Sequence, residues 1–158
     1  MNPQLMMGTL ITFLHDLFTA VWIGGLFILL FVTLPGLKKA DLGIKITQKT
    51  AQMIQKRMQT FTIISIAGII ITGLLLAKRS GQASGLFSFT SQYTTILSIK
   101  HIFSFLMVLI SATRFIILRK TEKKPSKKLG NYSVACLIAN FVSGIIVLFL
   151  SALLSMLP

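Results

Sequence analysis

Four long apolar stretches, residues 5–34, 60–77, 93–118 and 132–157, alternate with short polar intervals along the chain. A helix needs about 20 apolar residues to cross a hydrocarbon core about 30 Å thick, and each stretch is near or above that length. Backbone groups in hydrocarbon must bond within their own segment, so each stretch is predicted as a helix. The pattern predicts one all-α domain over residues 1–158, an integral membrane four-helix bundle in up-down-up-down order. No second, soluble domain fits in what remains.

The interval after the first stretch has a pattern of its own. Leu42, Ile46, Met53, Ile54 and Phe61 recur at near-helical spacing, with Lys45, Lys49, Lys56 and Arg57 between them. This reads as a basic amphipathic extension of the second helix, lying at the headgroup level and drawn to anionic lipid. The interval 80–92, rich in Gly and Ser, is expected to form a flexible lid, and the Lys-Pro-Ser-Lys-Lys segment from Lys124 a plain connector.

Composition strengthens the membrane reading. The chain is 54% hydrophobic and 12% charged, with mean hydropathy +0.83, too apolar for a soluble domain of 158 residues. The first stretch is expected to stay as a helix rather than leave as a signal peptide. Residues 1–7 carry no basic side chain, the apolar run is too long, and no small-x-small site closes it. Cys136, the single cysteine, permits no intrachain disulfide and reads as an apolar packing residue.

The net charge of +13 sorts by interval rather than forming a nucleic-acid face. The intervals 35–59 and 119–131 each carry a net +5, whereas the middle one has only Lys78 and Arg79. The positive-inside rule places both basic loops in the cytoplasm and both termini outside. Lipid is the expected partner, and a membrane partner subunit or redox partner fits so small a bundle.

The chemistry-bearing residues stand out against this background. His15 and His101, the only histidines, lie within the first and third stretches, ten residues from Leu5 and eight from Tyr93. At a helical rise the rings lie roughly 12–15 Å in, at matched depth in the outer half of the membrane. In an up-down bundle these two helices stand on a diagonal of roughly 12–14 Å, a span two imidazoles can bridge around one shared atom. An ionisable residue in hydrocarbon is costly, which makes the pair the candidate site.

Their neighbours extend it. Asp16 and Lys100 are positioned to pair across the gap, and Trp22 with the Gly24-Gly25 pair follows His15 toward the other end. Ser65, Gly68, Thr72, Asn140, Ser143 and Gly144 offer small or polar lining. Arg114 reads as a snorkelling anchor. Met6, Met7 and Met156 are candidate soft copper ligands, with packing as the plainer reading.

The segment from Leu14 to Phe27, with its membrane His followed by Trp-x-Gly-Gly, resembles the first helix of the copper resistance D (CopD) domain family. Residues 93–119, with Leu97, Lys100 and Arg114, and residues 65–73 are similar to its third and second helices. The His-to-Trp-to-Gly portion is also distantly similar to the four-helix, haem-binding protoporphyrinogen oxidase family. The chain departs from that family at Gly36, where a basic residue is expected after Pro35.

The CopD resemblance implies a plasma- or inner-membrane protein of copper transport or resistance. Three readings follow. In the first, His15 and His101 hold or pass a copper ion. In the second, they are axial ligands of haem b in electron transfer or haem-dependent oxidation, with Lys78, Arg79 or Lys100 neutralising propionates. In the third, the chain is a structural membrane subunit. With only three acidic residues and no nucleophile–base pair, the sequence assigns no catalytic residue, and enzyme status stays open.

Overall fold

A computed structural model describes residues 2–40, 44–79, 89–123 and 126–157. Helix α1 spans Pro3–Phe27 and passes through a π-helical turn, Ile28–Thr33, into the short α2, Leu34–Lys39. Three long helices follow: α3 over Ile44–Arg79, α4 over Gln92–Lys123 and α5 over Lys127–Met156. The described residues contain no strand. The expected lid falls largely on residues 80–88, and Leu42 and the Lys124-Pro125 pair also lie outside the described residues.

Local chemistry explains the boundaries. Asn2 caps α1, its side-chain oxygen accepting from the Gln4 amide at 3.0 Å, and Pro3 occupies the first turn, where no amide is needed. The π turn precedes Pro35, whose ring in a regular α-helix would strike the carbonyl four residues back. The wider turn relieves that clash, and Leu34 bonds five residues back to the Leu29 carbonyl. The first span thus continues through its proline to Lys39.

The amphipathic extension is helical, as its periodicity predicts. It is continuous with the second span in a 36-residue α3. That helix measures about 54 Å, well beyond a hydrocarbon core.

Helix α1 packs along α3, and α4 along α5; α1 also meets α5, while α3 and α4 touch only lightly. Within the first pair the contacts run in opposite senses: Gly8 lies against Arg79, Phe18 against Gly68 and Gly25 against Met58. Gly68 is needed for its lack of a side chain, because a Cβ there would collide with the Phe18 ring. Gly144 plays the same part between the pairs, its Cβ position lying 3.2 Å from Ile23 and 3.3 Å from Met107.

The distribution of polarity is inverted relative to a soluble bundle. Ser65, Thr72, Ser98, Asn140 and Ser143 are buried, whereas Phe105, Phe149, Ile71 and Leu74 are exposed. A small apolar cluster of Trp22, Ile23, Leu26, Leu29, Met107, Leu137 and Val147 fills the centre. Water would penalise so continuous an apolar exterior, and hydrocarbon would not. Four helical stretches, Pro3–Lys39, Lys49–Arg79, Gln92–Thr121 and Lys128–Met156, are long and apolar enough to cross a membrane.

Gly68→Leu is expected to destabilise the detergent-solubilised protein by about 1–3 kcal/mol through overpacking against Phe18. Gly24 has open space at its Cβ position. Gly24→Ala should therefore raise stability by about 0.5–1 kcal/mol. Thermal unfolding of the two variants in one detergent checks both signs.

Candidate functional site

His15 projects from α1 onto α3. Its Nδ1 lies 2.9 Å from Thr72 Oγ1, and Thr72 Oγ1 lies 2.6 Å from the Gly68 carbonyl. The carbonyl can only accept, so the single hydroxyl proton goes to Gly68 and the hydroxyl receives the Nδ1 proton of His15. Gly73, next along α3, leaves room for the imidazole edge, with Cε1 3.7 Å from its Cβ position.

His101 on α4 is tied differently but to the same effect. Its Nδ1 donates to the Leu97 carbonyl one turn back, at 2.7 Å. In both rings, therefore, Nδ1 carries the proton and Nε2 keeps a lone pair. Metal-ligating histidines are commonly held this way, the second nitrogen fixing tautomer and ring orientation.

The four ionisable residues of the two dipeptides lie within one another's electrostatic reach. His15 interacts with the charges of Lys100, Asp16 and His101, and Lys100 with that of Asp16. Both imidazoles are half-buried, and so is Lys100. Asp16 faces an open groove of about 510 Å³ between α1 and α3, lined also by Thr9, Thr12, Leu76 and Arg79. Arg79 lies over Gly8 at the rim, and Lys78 is exposed on the last turn of α3.

Two helical turns from His15 on the same face, Trp22 is buried, as is Ser65 two turns from Thr72 on α3. Trp22 Nε1 and Ser65 Oγ both lack a hydrogen-bond partner among the described residues. These orphaned polar atoms make the facing stripes of α1 and α3 more polar than packing requires. Gly24 faces open space, and the Cβ position of Gly25 lies 3.1 Å from Met58 Cε. Met6, Met7 and Met156 are all exposed, Met156 at 83%. Among the described residues, no group of three or more His, Cys, Asp or Glu could hold a metal ion.

Two residues have roles that composition did not suggest. Thr72, one of several candidate lining residues, is the partner of His15. Arg114, expected to snorkel, is only 7% exposed, with Nε unpartnered and its charge within reach of Cys136. Nearby on the same two helices, Asn140 Nδ2 donates to Ser111 Oγ at 2.6 Å while its Oδ1 has no partner. The signal for this second polar cluster was Asn140 itself, an amide in the middle of the fourth apolar stretch.

Comparison with protein-family models, curated proteins and solved structures gives no match to this chain.

Thr72→Val removes the acceptor of His15 while conserving shape. It should release the His15 tautomer into a mixture and leave His101 unchanged, as read by nitrogen NMR of labelled histidine. A stability loss of about 1 kcal/mol is expected with it.

Proposed function

We propose that this chain is a multi-pass membrane protein of CopD type that handles copper at an intramembrane site made by His15 and His101. The four spans form an up-down-up-down bundle, with both termini outside and the basic segments 35–59 and 119–131 in the cytoplasm, as the charge bias favours. The observation that carries the reading is that each imidazole is held through Nδ1, by Thr72 Oγ1 and by the Leu97 carbonyl, which leaves Nε2 as the nitrogen for a ligand.

Neutral imidazole is a suitable copper donor, and two such donors suit a transferable ion better than a closed structural site would. Thr72 and the Leu97 carbonyl orient the rings and keep the donor nitrogens unprotonated. Asp16 offsets the charge of Lys100, so the ammonium group does not repel an arriving cation unopposed. The groove bearing Asp16, Thr12 and Thr9 supplies a polar approach from the outer end.

A second reading, haem b, draws on a separate observation: His101 lies within electrostatic reach of His15, and no group of three or more candidate metal ligands occurs among the described residues. His15 and His101 would hold the haem iron without a further protein ligand, and bound haem would supply one-electron chemistry. In that reading Arg79 or Lys78 would neutralise the carboxylates of the cofactor.

Purified protein separates the readings. A colourless sample that retains about one copper per chain, lost in His15→Ala and in His101→Ala, supports copper handling. A Soret band lost in the same variants assigns haem instead. If both variants keep the wild-type metal and pigment content, neither reading stands.

The topology is checked independently in a Cys136→Ser background. Cysteine placed at Lys49 or Lys120 should react with an impermeant maleimide only after the cells are opened, and cysteine at Lys78 in intact cells.

A further inference from the structure

A second large cavity, of about 630 Å³, lies at the opposite end of the helices from the histidines, between α2, α3, α4 and α5. It occupies the place where α3 and α4 barely touch. Lys38 and Lys56 border it, and Gln52, Gln55 and Gln59 line it turn after turn along α3. No acidic residue is among its described lining residues.

Two further observations point to a ligand. Ser133 faces the cavity, is only 5% exposed, and its hydroxyl has no hydrogen-bond partner among the described residues. Ser126, the N-cap of α5, also lines the cavity, and its side chain makes no capping bond, so the first-turn amides of α5 remain available. A helix N-terminus with unspent amides favours an anion, and two lysines add to that preference. Leu34, Leu118 and Val134 supply apolar walls to the same space. Cation, amide and hydroxyl donors beside apolar surface match an amphiphile rather than a small soluble ion.

We propose that this cleft binds the phosphate of an anionic phospholipid headgroup. Lys38 and Lys56 provide the charge, Ser133 and the first turn of α5 the hydrogen bonds, and the apolar walls take the adjoining glycerol and acyl carbons. The proposal rests on the membrane reading above but not on the histidine site.

The test uses the full chain, purified in detergent and titrated with phosphatidylglycerol or phosphatidylcholine, with retained lipid read by native mass spectrometry. Phosphatidylglycerol should be preferred, and the double variant Lys38→Gln, Lys56→Gln should weaken its retention by about tenfold. Ser133→Ala should weaken it by about fivefold. The pair Lys49→Gln, Arg57→Gln removes the same charge from α3 outside the cleft and should weaken retention by no more than about twofold, the share of diffuse attraction. Equal losses in both double variants would mean diffuse surface attraction and overturn the site, as would equal retention of the two lipids. Excess inorganic phosphate should fail to displace the lipid; displacement would overturn the lipid source in favour of a soluble phosphate. His15→Ala and His101→Ala should retain lipid like the wild type, so failure of the copper or haem reading leaves this result independent.

Discussion

A polar side chain turned inward on a long apolar helix must find its partner within the protein. The hydrogen bond from His15 to Thr72, passed on to the Gly68 carbonyl, meets that demand and fixes much else. It sets the register of α1 against α3, because the imidazole can reach the hydroxyl only from one turn of each helix. The same register brings Phe18 over the bare backbone of Gly68 and Arg79 over Gly8. Packing and side-chain chemistry are therefore linked: the contact that seats the helices is also the one that holds Nδ1 of His15 and fixes its ring.

The second pair solves the same problem locally. His101 bonds within its own helix, to the Leu97 carbonyl, and so places no demand on the α4–α5 register. That register is held elsewhere, by Asn140 on Ser111 and by the close approach of Met107 to Gly144. The polar interior thus has two centres, one around the histidines and one around Asn140 and Arg114, with the small apolar cluster between the helix pairs. Orphaned atoms occur at both: Trp22 Nε1 and Ser65 Oγ on the first pair, Arg114 Nε and Asn140 Oδ1 on the second.

The helical stretches were legible in the sequence because bilayer thickness imposes a length that four apolar runs meet. The continuity of α3 was less so: periodicity revealed a helical extension, but not that no break separates it from the span. The π turn was not read at all, although Pro35 within a continuing apolar run was its signal. His15 and His101 were visible as ionisable residues within long apolar runs, and Asp16 and Lys100 as their neighbours. What one sequence could not supply was the rotation of each helix. Adjacent residues on a helix differ by about 100° in direction, so Gly24 and Gly25 do not face the same neighbour. For the same reason Thr72 was one of six small or polar candidates until α1 and α3 were seen in contact. The burial of Arg114 depends on how α4 and α5 pack, which its position near a span end does not disclose.

The π turn at Ile28–Thr33 carries one more consequence. Each such turn inserts a single extra residue, which rotates everything beyond it by about 100° relative to an uninterrupted α-helix. The azimuth of the polypeptide carrying Lys38 is therefore offset from that carrying His15, although both belong to one continuous rod. A one-residue insertion or deletion between Phe27 and Leu34 would act as a phase shifter: either the imidazole stripe or the lysine stripe could keep its neighbours, but not both.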